Sequence, residues 1–185
     1  MDNDIKIFAP DAPAECPIEE LDSLVAQTEA LRESGNLDRA KRLGREMAAY
    51  SAQSPELPAL AESFGFSLTP QREHQLHVLM VFSAQHALQG ILPKLLAEAA
   101  ITAMNNYLIN HSKDFWDTIS DGRAFTQYLL VVQRQGGAPA SMGGAFAHIC
   151  GQEDNTDLCS LGSAVFSAAR ALVAAKWENP EAPAL

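Results

Sequence analysis

The amino-acid sequence predicts an all-α fold, a compact bundle of roughly seven to nine helices around a central hydrophobic helix pair, with an N-terminal helical hairpin. Three observations predict it. Apolar residues recur at three- and four-residue spacing almost throughout, and no short run alternates as a half-buried strand would. Hydrophobic residues make up 47% of the 185 and aromatics only 7%, while alanine, the best helix former, is abundant. Glycine and proline fall at helix-length intervals, where they end one helix or open the next.

The elements follow in order. Ile18, Leu21, Leu24, Val25, Thr28 and Leu31 form the stripe of a first helix, ended by Gly35-Asn36. A second carries Leu37, Ala40, Leu43, Met47 and Tyr50, and a short third spans Pro55–Phe64. Thr69-Pro70 opens a fourth, with threonine as cap and proline in the first turn. That helix is apolar on nearly every side from Leu76 to Leu88, as a buried core helix is. The fifth, Pro93 to about Asn110, is similar, with Lys94 and Glu98 charged. A single turn at Phe115–Ile119 leads to Asp121-Gly122; a helix with Phe125, Tyr128, Leu129 and Val132 then stops at Gly136-Gly137. Ser141–Cys150 is short and rich in small residues, and Thr156 or Asp157 caps a long last helix reaching Trp177. Residues 18–178 form one helical domain (18–53 hairpin, 68–178 core), between a mobile N-terminal arm at 1–17 and a mobile tail at 179–185, where five of the ten prolines lie.

Charge and cysteines bound the function. A formal charge of −10 argues against a nucleic-acid backbone or an anionic membrane as partner. The stretch His74–Pro93 lacks charge but holds several His and Gln side chains, so it reads as a core helix rather than a membrane span. The acidic N-terminus lacks the features of a secretory signal. Cys16, Cys150 and Cys159 cannot all pair and form no C-x-x-C, so reduced thiols in the cytoplasm are expected.

Few residues suggest chemistry. Glu73, His74 and His77 share part of a helix, yet neither the zincin nor the di-iron order occurs; a polar helix entrance is the simpler reading, and no metal site is assigned. Seven of the eleven glycines lie between 122 and 162, but without a Walker lysine or a preceding strand. Gly143, Gly144, Ala145 and Ala147 are therefore read as allowing two helix backbones to approach closely, and no cofactor is implied. Arg32, Arg39, Lys41, Arg42 and Arg45 are interleaved with acids, the pattern of a solvated helix face.

The candidate ligand-binding residues are His86, Gln89, Glu98 and Asn105. Glu98, Thr102 and Asn105 recur at four- and three-residue spacing on the fifth helix. If that helix packs antiparallel to the fourth, they approach Gln85, His86 and Gln89. A carboxylate and an imidazole facing each other across an apolar cavity would have shifted pKa values and could act as acid and base. Phe115 and Trp116, in a short acidic-flanked turn, are the candidate interface residues.

Leu24, Leu31, Gly35, Asn36 and Ala40 resemble the consensus of a tetratricopeptide helical hairpin, within Leu24–Tyr50. The resemblance covers one repeat at most. Gly44 stands where the pattern wants an aromatic residue, and no second copy follows after about 34 residues. It implies helix packing and assigns no functional residue.

With no nucleophile–base pair, metal quartet or phosphate loop legible, the expected function is a non-catalytic protein-interaction or regulatory module. Its partner is another protein or a second copy, with neither nucleic acid nor membrane. The alternative is a small-molecule-binding or enzymatic bundle with a polar site between the fourth and fifth helices.

Overall fold

A computed structural model describes residues 18–54, 56–66, 68–120 and 122–181. The arm expected at 1–17 and the last four residues of the tail lie outside the described residues. Among those described there are nine α-helices and no strand: α1 Ile18–Glu33, α2 Asn36–Gln53, α3 Glu56–Ser63, α4 Pro70–Ile91, α5 Lys94–His111, α6 Lys113–Ser120, α7 Arg123–Gln135, α8 Pro139–Ile149 and α9 Thr156–Glu178.

Local chemistry places most boundaries as expected. Gly35, at φ 74°, turns α1 into α2 in a left-handed conformation that side-chain-bearing residues resist. The Thr69 hydroxyl accepts from the Arg72 amide at 3.3 Å, and Pro70 occupies the first turn of α4. Three boundaries differ. The cap of α9 is Asn155, whose side-chain oxygen accepts from the amides of Asp157 and Leu158 at 3.1 and 3.0 Å, so Thr156 is already helical. Helix α8 begins two residues earlier than read from sequence, because Pro139 is suited to a first turn that needs no amide hydrogen. The single turn at Phe115–Ile119 is a two-turn helix, stapled by a 2.9 Å Lys113–Asp117 pair one turn apart.

Helix α4 is the centre. Leu76 and Val78 to Ala84 are all buried, so no side of the rod faces water along its middle. Two closely packed helix pairs flank it. In the first, α2 crosses α5 at Gly44, where a Cβ would overlap the Ala100 carbonyl. The residue that departs from the tetratricopeptide pattern is thus the one that lets these helices touch. In the second, α8 crosses α9 at Gly143 and Gly162. A Cβ on Gly143 would overlap the Cys159 carbonyl, and one on Gly162 would sit 2.8 Å from the Phe146 Cβ. Of the small residues singled out in α8, Gly143 makes the crossing, whereas a Cβ on Gly144 would meet open space.

Helix α5 is the more peripheral of the two apolar rods. Leu96, Ala97, Ala100, Met104 and Leu108 are buried on one face, while Glu98, Thr102 and Asn106 are exposed on the other. The Arg39 guanidinium ties α2 to the end of α9, stacking 4.6 Å over the Trp177 ring and donating to the Trp177 carbonyl. Among the described residues α9, rather than 74–93, is the helix long and apolar enough to cross a membrane by length and composition. Its inner face, from Leu158 to Val173, packs on α8 and α4.

Candidate functional site

Two open clefts, one between α4 and α7 and one along α5, divide the residues expected to form one site. The first lies between α4 and α7. Leu129 and Val132 from α7 form its apolar wall with Phe82 and Phe125, whose rings meet edge to face at 5.5 Å. Gln85, His86, Gln89 and Thr126 provide its polar groups, and Gly122 lies at its end, where α7 begins. The cleft encloses about 450 Å³, within the size range of small-molecule sites.

His86 is held there by aromatic rings. Its imidazole lies nearly parallel to Phe82, with centroids 6.3 Å apart, and stacks on Phe166 at 5.6 Å. Burial lowers its pKa, and the nearby Arg170 charge lowers it further, so the ring is neutral at neutral pH. It makes no hydrogen bond to another described residue.

The second cleft runs along the outer face of α5, bounded by α1 and α2. Leu95, Glu98, Ala99, Thr102, Ala103, Asn106 and Tyr107 form its floor; Lys41 and Arg45 of α2 form one bank, and Thr28 and Leu31 of α1 the other. It encloses about 530 Å³ and continues past Leu31 and Leu95 toward Pro93.

The structure therefore brings His86 and Gln89 together but places Glu98, exposed, in the other cleft. Glu98 does not line the cleft that holds His86. Asn105 lies in neither lining: its side-chain oxygen accepts from Gln85 Nε2 at 2.8 Å, closing a polar link across the α4–α5 seam. Phe115 and Trp116 are half-buried against the core, and Phe115 packs edge-on against His74 and His77, at 5.5 and 6.3 Å. The two histidines serve as struts: His77 Nδ1 lies 2.7 Å from the Ser51 carbonyl and His74 Nε2 3.2 Å from the Thr118 hydroxyl. No group of three or more metal-ligating side chains converges among the described residues.

Sequence reasoning missed Phe82 and Phe125 as cleft walls and missed the bare apolar face of α1. Leu21, Leu24 and Val25 are 48%, 41% and 57% exposed, and no residue of α1 from Leu21 to Glu33 is buried. The available signal was the apolar width of α7, whose Leu129 and Leu130 both remain exposed. Searches against protein-family models, curated proteins and solved structures return no match to this chain.

Proposed function

We propose that this protein is an interaction module whose partner is a second copy of itself, with α1 of one copy docking along the α5 cleft of the other. The observation that carries the reading is α1. A helix of 16 residues is marginal in water by itself, yet α1 leaves three large apolar side chains uncovered. Leu21, Leu24 and Val25 continue the stripe of Thr28 and Leu31, which already reach the cleft. One chain thus holds both an unpartnered apolar helix face and an unpartnered groove beside it. A two-fold arrangement would satisfy both at once.

Charge supports the pairing. Asp22, Glu29 and Glu33 flank the stripe on α1, while Lys41 and Arg45 line the cleft bank. The reading is of a cytoplasmic, protein-binding domain, with neither nucleic acid nor membrane as partner. The free thiols of Cys150 and Cys159 accord with a reducing compartment, and the charge of −10 disfavours polyanions.

Light scattering on the full chain at micromolar concentration tests the proposal. The expected result is a dimer that becomes a monomer when Leu21, Leu24 and Val25 are replaced together by serine, which removes apolar surface without changing charge. A strict monomer, or a dimer indifferent to the triple substitution, would overturn it.

A further inference from the structure

The α4–α7 cleft combines an uncharged lining with aromatic rings. The protein carries 13 basic and 23 acidic residues, yet none of the described residues lining this cleft bears a formal charge. An ionised ligand entering it would lose hydration without a charged lining residue to pair with, which is costly, and Arg170 reaches His86 only from outside the lining. The walls are rings or branched apolar side chains, and Phe82 and Phe125 stand nearly perpendicular, at 80°. Phe82 is buried, its ring already met by His86, Phe125 and Tyr128, so the ring a flat guest would chiefly meet is the half-buried Phe125.

His86 sets the polar requirement. A neutral imidazole has one donor and one acceptor nitrogen, and both are without a hydrogen bond from another described residue. The ring cannot easily turn away, because Phe82 and Phe166 stack on it and Gly137 lies close to Nε2, where an added Cβ would be 3.3 Å away. Gln89, exposed at the rim, adds an amide with both donor and acceptor. Gln85 is partly engaged, since its Nε2 already donates to Asn105.

We propose that this cleft binds an uncharged, flat heteroaromatic molecule of one or two fused rings, lying against Phe82 and Phe125 and hydrogen-bonded by His86 and Gln89. The site is separate from the α1 and α5 surfaces, so it stands or falls independently of self-association.

The test titrates the full-length protein, followed by calorimetry and by amide chemical shifts, with three probes: indole-3-carboxamide, indole-3-carboxylate and cyclohexanecarboxamide. The expected result is saturable binding of the first, with shifts centred on Phe82, His86 and Phe125. The carboxylate should bind about tenfold more weakly, because no lining residue pairs with its charge and Arg170, outside the lining, offsets only part of the lost hydration. The cyclohexyl amide, which cannot stack flat on an aromatic ring, should not saturate. Leu129→Trp fills the cleft from a position that is 49% exposed; it should abolish binding while leaving the melting temperature unchanged. His86→Ala should weaken binding about fivefold, the effect of one lost hydrogen bond. No saturable binding of the carboxamide, equal binding of the carboxylate, or unchanged binding in Leu129→Trp would each overturn the proposal, as would shifts mapping to the α5 cleft.

Discussion

The crossing of α8 over α9 and the seating of α1 are opposite solutions to the placing of a helix. At Gly143 and Gly162 the backbones approach until a single added carbon would collide with the facing helix, so nearly every atom there has a packing partner. Helix α1 has no buried residue from Leu21 to Glu33 and leaves three large apolar side chains in water. Close packing makes a contact intolerant of change, whereas a loosely seated amphipathic helix is free to bind something else. Rigidity at the α8–α9 crossing and availability at α1 therefore come from the same variable, the size of the side chains at the contact.

Substitutions can break that contrast in a graded way. The largest loss is expected in the central rod: Leu79→Ala removes a side chain with no solvent exposure and should cost about 3 kcal/mol, read as a lower urea midpoint at unchanged slope. Next come two adjacent glycines with opposite outcomes. Gly143→Ala forces a Cβ into the Cys159 carbonyl and should cost about 2 kcal/mol. Gly144→Ala meets nothing within 4 Å and sits at an ordinary negative φ inside α8, so it should stabilise by about 0.5–1 kcal/mol. If both glycines behaved alike in urea titrations, the close crossing would not be the source of the intolerance.

A gentler probe is pH. Burial holds the pKa values of His74 and His86 below the usual histidine range, with His77 lowering the first further and Arg170 the second. The unfolded chain, with histidine near 6.5, then binds protons first as the pH falls. This contribution to stability is complete above about pH 6.5 and is lost as the pH drops through the folded-state values. The melting temperature should fall over that window, and His74→Gln with His86→Gln should flatten the slope. The smallest effect belongs to α1: Val25→Ser, at a position 57% exposed, should change monomer stability by less than about 0.5 kcal/mol while weakening self-association measured by light scattering.

Much of the fold was legible in the residues. Thr69-Pro70 opened α4 where predicted, Gly35 and Gly136 ended helices in left-handed turns, and the unbroken apolar run from Leu76 to Leu88 marked the buried rod. Even the role of Gly143 followed from its small-residue context. The candidate site was less legible. Glu98 and Asn105 share a side of α5 by spacing, yet one lies in the outer cleft while the other bonds Gln85 in the seam. Seven residues are about two turns, so the two side chains point nearly the same way but sit about 10 Å apart along the axis, where a crossing helix can cover one and leave the other open.

The sequence by itself determined which segments are helical, where they stop, and which residues share a helix face, because backbone propensity, capping and 3.6-residue periodicity are local. Only the tertiary structure decided which faces confront one another. It put His86 opposite α7 rather than Glu98, turned Phe115 onto two histidines, and left Leu21, Leu24 and Val25 uncovered. The physical reason is that a helix face can be buried against any surface of matching shape. The choice among them depends on side-chain volumes brought together from distant parts of the chain, as at Gly44 against Ala100.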